Sequence, residues 1–169
     1  MPTQKTVTAA QLEGRTIIDL IKQDHEKTRS QFEKIMSSGK KEVSGRQKLF
    51  TQLEEELQVH MEGEERFFYP ALEQHEEARD KTLEAYEEHQ VAKTMLGTFK
   101  SLAVDDERWR AKLNVLHEVV EHHLQEEEKE IFKLARKALD KNQMQEMAVQ
   151  FQRHKREGRK PSRGAPVEG

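Results

Sequence analysis

The chain has no cysteine in its 169 residues, which excludes disulfides, iron–sulfur clusters and thiolate zinc sites. Aromatic residues are scarce at 6%, with only 1 Trp and 2 Tyr, and this argues against a β-rich fold. There is no run of about 18 apolar residues, so a membrane-spanning helix is excluded. Apolar residues of all kinds are thin: 34% hydrophobic against 36% charged, with a mean hydropathy of −0.99. That balance points to long solvated helices or to disorder. Glu, Lys, Gln and Leu dominate what is present, and the length suits one domain.

Net charge is −3, from 29 basic and 32 acidic residues, but it is unevenly spread. Between Gln152 and Gly169 six basic residues face two acidic ones, among Gly158, Pro161, Gly164 and Pro166. Residues 152–169 therefore read as a disordered basic tail. The remaining body is acidic, so nucleic acid is not expected as the main partner. Residues 1–15 read as a flexible N-terminal segment with no export signal, and the expected location is the cytoplasm.

Helical periodicity fills the region between. Thr16 with Asp19 resembles a capping box, followed by Ile17, Ile18, Ile21, His25, Thr28, Phe32 and Ile35 at helical spacing. A second helix from about Ser44 carries Leu49, Leu53, Leu57, His60, Glu64 and Phe67 or Phe68, with a kink expected at Pro70. The third, Arg79 to Leu102, presents Leu83, Tyr86, His89, Leu96 and Phe99. Asp105-Asp106 starts a fourth, with Leu113, Leu116, Val120, His123, Glu127, Ile131 and Leu134. The expected fold is all-α: an antiparallel up-and-down four-helix bundle over residues 16–151, with a short extra C-terminal helix near Gln143 to Phe151 packed on one end.

The chemistry lies in polar residues on those inward stripes. Each helix has one mid-stripe histidine, and the second and fourth add a glutamate one turn later: His60 with Glu64, and His123 with Glu127. His-x-x-x-Glu alone is weak in so glutamate-rich a chain, and His117/Glu121 and His122/Glu126 match it too. The internal repeat is stronger. His25 and His89 stand 64 residues apart, His60 and His123 63, and Glu64 and Glu127 63. Two equivalent helical hairpins would thus bring four imidazoles and two carboxylates to one centre. The repeat also selects His123 and Glu127 over His122 and Glu126. His75, His117 and His154 read as surface or peripheral residues.

Two unpaired buried carboxylates would cost several kcal/mol each, so a cation is expected between them. An all-nitrogen-and-oxygen set with two carboxylates able to bridge suits two iron ions, with manganese or zinc less favoured. Two six-coordinate ions offer about twelve positions. The six side chains and a solvent-derived oxo or hydroxo bridge leave about two of them for a small exogenous ligand. Glu-x-x-His is absent, which argues against a ferritin-like bundle, and so are His-Glu-x-x-His and phosphate-loop motifs.

Four segments carry a family resemblance: "QDHEKTRSQF" around His25, "VHMEGEERFFYPAL" with His60 and Glu64, "EEHQVAKTML" with His89, and "EHHLQEEEKEIF" with His123 and Glu127. Over roughly Ile17 to Leu139 the chain resembles the hemerythrin HHE cation-binding family. The resemblance implies a four-helix bundle with a non-haem di-iron centre. It also implies that His25, His60, His89 and His123 are terminal ligands and that Glu64 and Glu127 bridge. Oxygen-carrying hemerythrins have a second histidine one turn from the third-helix ligand, whereas here Ala85 and Lys93 flank His89. Three occupants of that gap stay open: the Tyr86 phenolate as an additional ligand, a packed Tyr86, or water. Three functions stay open as well: capture of O2 or nitric oxide, enzymatic turnover of peroxide or nitric oxide, and iron storage or sensing. For turnover, Glu65, Glu128 and Tyr86 are the nearest proton sources. Oligomeric state is not legible.

Overall fold

The computed structural model describes residues 9–39 and 41–158. Its long helices are α1 (Ile17–Ser37), α2 (Val43–Phe67), α4 (Glu76–Thr98) and α5 (Glu107–Glu126); the short α3 (Tyr69–Glu73) follows α2. A π turn at Glu127–Ile131 joins α5 to α6 (Phe132–Ala138), and α7 (Lys141–Gly158) follows. α1 packs on α2 and α5, and α4 on α5 and α2, closing a four-helix bundle. No strand occurs among the described residues.

The first and fourth helix starts are built as the sequence predicts. Asp19 accepts hydrogen bonds from the Thr16 backbone N–H (2.8 Å) and hydroxyl (3.0 Å), and Asp106 accepts from the Arg108 N–H (2.8 Å). At the far end, α1's last carbonyls would otherwise be orphaned. Buried Arg46 donates to Ser38 O (3.2 Å) and Gly39 O, and Arg110 donates to Met36 O (3.3 Å) and Ser38 O (2.9 Å).

Two apolar clusters fill the bundle. One gathers Ile17, Ile21, Phe68, Tyr69, Leu72, Phe132 and Phe151; the other gathers Phe32, Phe50, Leu53, Leu96, Trp109, Leu113 and Leu116. The four mid-stripe histidines and two glutamates fall between them along the helices.

Four expectations need correction. Leu83 is 42% exposed, and α4 instead turns Ala78, Thr82, Ala85, His89, Ala92 and Leu96 inward. Small residues suit that face because Phe68, Tyr69 and Phe132 already fill the space in their shared cluster. The C-terminal helix is neither short nor packed on one end, since it runs for 18 residues along α1 and α2. Residues 152–158, read as disordered tail, are its last turns, because the buried stripe Met144, Ala148, Phe151, His154 outruns the basic composition; residues 159–169 lie outside the described residues. Within the segment read as flexible, Ala9–Leu12 form a 3-10 turn that buries Leu12, and Gln145 of α7 donates to Gly14 O (2.9 Å); residues 1–8 lie outside the described residues.

α7 approaches α2 closely at one point. A Cβ on Gly63 would stand 2.7 Å from Phe151 Cε2 and 2.8 Å from Cδ2. Phe151 is fully buried and cannot swing away. Gly63→Ala should therefore destabilise the fold by roughly 1–3 kcal/mol, despite the ~1 kcal/mol that alanine normally gains over glycine inside a helix. Urea unfolding checks this: the midpoint should fall with an unchanged slope, and an equal or higher midpoint would contradict the packing.

Candidate metal centre

α1 supplies His25, α2 His60 and Glu64, α4 His89, and α5 with its π turn His123 and Glu127; all six are buried. They form two overlapping groups: His25, His60, Glu64, Glu127 and Glu64, His89, His123, Glu127. In each group the ligand-type atoms lie within 4.8 Å of one another. Glu64 presents Oε1 to His60 Nε2 (2.9 Å) and Oε2 to His89 Nε2 (3.1 Å). Glu127 presents Oε1 to His25 Nε2 (3.4 Å) and Oε2 to His123 Nε2 (3.3 Å). Each carboxylate thus faces both histidine pairs, one oxygen to each.

Local backbone breaks set this geometry. In both hairpins the helix is interrupted just after the glutamate. α2 ends at Phe67, and after Phe68 the short α3 starts at Tyr69 with Pro70 in its first turn. In α5 the Phe132 N–H bonds to Glu127 O, five residues back, which defines the π turn.

The outer ring nitrogens are equally organised. His25 Nδ1 meets Glu128 (2.8 Å), His60 Nδ1 meets Asp24 (2.9 Å), His89 Nδ1 meets Glu65 (2.8 Å) and His123 Nδ1 meets Glu88 (3.3 Å). A carboxylate can only accept, so each Nδ1 carries a proton and each Nε2 faces inward. Cations back three of these carboxylates. Arg29 bonds Glu128 (2.9 Å), Lys93 bonds Glu65 (2.8 Å), and Lys155 from α7 pairs with Asp24.

The donor set fits a metal. His25 Nε2, His60 Nε2, Glu64 Oε1 and Glu127 Oε1 are buried without a hydrogen-bond partner, and together they make up one of the two groups. Four inward buried donors left unsatisfied in a native core call for a missing partner. Nitrogen and carboxylate ligation with no thiolate suits iron, manganese or zinc.

Without an ion the cluster resolves by holding protons. Burial pushes His123 down, but Glu127 and Glu88 outweigh it and raise its pKa to about 10. The same contest raises His25, through Glu127 and Glu128, and His60, through Glu64 and Asp24. Burial pushes Asp24 up, yet His60 and Lys155 bring it down to about 2. The His25 hydrogen bond, with Arg29, holds Glu128 at about 2.

All six sequence-predicted residues converge, and His123 is chosen over His122, whose side chain is 69% exposed. Tyr86 does not join them: it is half-buried, its hydroxyl bonds Glu73, and its ring packs edge-on against Tyr69 at 5.2 Å. Tyr69 occupies the site instead. Its hydroxyl donates to Glu127 Oε2 and lies 3.3 Å from Glu64 Oε2 and 3.3 Å from His89 Nε2. Burial and those two carboxylates raise its pKa well above the usual phenol range. Sequence periodicity missed it because the break at Phe68 changes the helical phase; its place beside Pro70 was the available signal. Glu65 and Glu128, read as proton sources, are the outer partners of His89 and His25. His154, read as peripheral, is buried near Gly63 and Phe67.

The hemerythrin HHE cation binding domain matches residues 16–135. The chain belongs to this family. A hemerythrin-like protein of Schizosaccharomyces pombe, itself uncharacterized, is 31% identical over 142 residues, spanning 83% of this chain and 69% of that one. A Nostoc protein named DNA nickase is 27% identical over 135 residues, 80% of this chain but only 38% of its own length. The fold matches the crystal structure of a hemerythrin HHE cation-binding domain protein from Mycobacterium kansasii at a TM-score of 0.73 and 20% identity, over 85% of this chain and 89% of that one. The HHE match ends at residue 135, so α7 lies outside the matched segment. No helix among the described residues is long and apolar enough to cross a membrane.

These shifts make the metal-free domain sensitive to pH in both directions. The raised histidines stabilise it fully below their ordinary value of 6.5, and that contribution is lost as pH rises, toward about 10 for His123. The depressed Asp24 and Glu128 stabilise it above 3.8 and 4.5 respectively, and that contribution is lost as pH falls toward about 2. Melting in a chelator should therefore be highest between pH 4.5 and 6.5 and fall on either side. A melting temperature that climbs from neutral to alkaline pH would contradict this electrostatic account.

Proposed function

We propose that this chain is a non-haem di-iron protein that binds O2, or the related ligands nitric oxide and peroxide, between its two hairpins. The observation that carries the proposal is the sharing of Glu64 and Glu127 by both ligand groups, one oxygen toward each histidine pair. Two carboxylates so placed would bridge two ions, with His25 and His60 holding one and His89 and His123 the other. Iron bound there would supply a redox-active centre with positions open to a small ligand.

The chain's own residues prepare the surroundings. A small enclosed pocket touches His60, Glu88, His89 and His123 and is otherwise walled by Leu57, Met61, Ala92, Val119, Val120 and Leu124. It has room for about one water-sized group. Such apolar walls favour an uncharged diatomic and keep bulk water out. Tyr69 holds its proton at the hydroxyl oxygen and donates it to Glu127 Oε2, which fixes that carboxylate. The same hydroxyl favours the second reading, enzymatic turnover of peroxide or nitric oxide, because it puts an O–H donor inside the site where Tyr86 does not reach.

Metal analysis with an optical spectrum of the anaerobic ferrous protein, before and after air, tests the proposal. About two irons per chain and a new absorption band on exposure are expected, and reversal under vacuum selects binding over turnover. A protein that holds no iron would end the proposal. His60→Ala should lose at least one of the two ions and the band; full retention would overturn the assignment of the site. Tyr69→Phe should keep both ions and bind ligand, but lose at least tenfold of any peroxide or nitric oxide turnover. Unchanged turnover in that variant would remove Tyr69 as the proton donor.

A further inference from the structure

The metal-site residues follow the 63- and 64-residue repeat, and so do their partners. Glu128 and Glu65 are equivalent, as are Asp24 and Glu88, and Arg29 and Lys93. Arg29 backs Glu128 behind His25, and Lys93 backs Glu65 behind His89, in matching positions. One pair breaks the pattern. Asp24, behind His60, is 10% exposed and pairs with Lys155 of α7. Its equivalent Glu88, behind His123, is 26% exposed and, among the described residues, pairs with no Lys or Arg; His122 stands 3.7 Å away on an open groove between α4 and α5.

The equivalence extends to the groove itself. Val59 and Gly63 of α2 correspond to His122 and Glu126 of α5. On the first side α7 lies directly over these positions: Phe151 fits against Gly63 and edge-on to His60 at 5.9 Å, while Gly158 meets Val59. On the second side His122 and Glu126 line the open groove. The same two positions are a seat for a helix on one face and polar surface on the other. A glutamate where α7 needs glycine leaves no room for a second Phe151. The aromatic rings next to the inward histidines also differ, with Phe132 stacked on His25 (6.0 Å) and Tyr69 tilted against His89 (5.3 Å).

We propose that Lys155 is a positioning residue. Through Asp24 it holds the His60 ring, so that α7 closes the His25/His60 half of the centre and leaves the His89/His123 half as the one through which ions exchange. This rests on the proposed two-ion site. Lys155 touches no ligand position directly; it fixes the carboxylate that fixes the imidazole, the outer arrangement that orients metal-bound histidines. α7 lies beyond the segment that carries the HHE match, so this half is closed by an element outside the matched domain.

Two measurements test the inference on the full chain. In the metal-free protein, ring-nitrogen NMR should show His60 with a fixed Nδ1–H. Lys155→Met should collapse that signature, Lys155→Arg should restore it, and His123 should not change. An unaltered His60 in Lys155→Met overturns the proposal without reference to any metal. In cobalt-loaded protein, transfer to a chelator should show two phases of equal amplitude. Lys155→Met should speed the slow phase by about tenfold to a hundredfold, a typical scale for outer-partner loss, and leave the fast phase alone; Lys93→Met should act on the fast phase. A single release phase in the unmodified chain, or equal acceleration of both phases by Lys155→Met, overturns the proposal. Absence of bound cobalt sinks the metal reading instead and leaves the NMR result to decide the role of Lys155. Lys155→Gln, with helicity and the Gly63 amide shift followed in each variant, separates loss of the ion pair from undocking of α7. If His60 changes only where α7 undocks, Lys155 has no positioning role.

Discussion

Everything in this fold is organised around two carboxylates taken fully out of water. Glu64 and Glu127 both have 0% exposure, and the groups that face them are imidazoles and a phenol. An isolated carboxylate in such a place would protonate or drag the structure open. This chain surrounds the pair with four imidazoles, each backed by another carboxylate and most of those by a cation. Charge alternates outward in shells, so no single layer bears the full cost of burial. In the metal-free state protons on His25, His60 and His123 supply the inner positive charge. A metal ion would supply it more compactly, releasing those protons as it binds.

The repeat explains why so regular a centre can arise from two hairpins, and where it stops being regular. The four histidines, the two central glutamates, the outer carboxylates and two of the outer cations follow the symmetry. Lys155, Phe151 and the exchange of Tyr69 for Phe132 do not. These departures all bear on the surroundings of the ligands and none on the ligand atoms. A centre for two ions, as proposed, would ask for symmetry, whereas admitting a ligand and moving a proton would ask for two different ends. The His89/His123 half has the Tyr69 hydroxyl and the open groove, and the His25/His60 half has the Phe132 ring and the covering helix.

Much of the centre was legible in the sequence, because metal ligation ties residue type to helical spacing. Four histidines and two glutamates on inward stripes, repeated at a fixed interval, identify the cluster and separate His123 from His122. Less legible was whatever depended on packing between elements. Leu83 looked like core and is exposed, since helical phase on α4 is set by alanines that carry little hydrophobic signal. Tyr86 looked nearer than Tyr69 because the break at Phe68 is a backbone event that a constant periodicity cannot follow. The basic run after Gln152 read as tail because composition averages over a helix whose buried stripe is only one residue in three or four. Lys155 was invisible for the same reason: its partner Asp24 lies 131 residues away.

The polarity of the composition takes on a different meaning once these shells are counted as interior. Asp24, Thr28, Arg46, Thr82 and His154 are buried alongside the six central residues. A low hydrophobic fraction usually signals a chain unable to offset its conformational entropy. Here two modest apolar clusters lie on either side of a polar layer in which the four histidines each answer carboxylates. Such networks specify one arrangement strongly, because a half-satisfied version costs more than none. Apart from Gln31 and His154, incomplete satisfaction among the described residues gathers on the inward faces of His25, His60, Glu64 and Glu127. That deficit, concentrated where two carboxylates face four imidazoles, is the property that makes the site a trap for cations instead of a generic polar core.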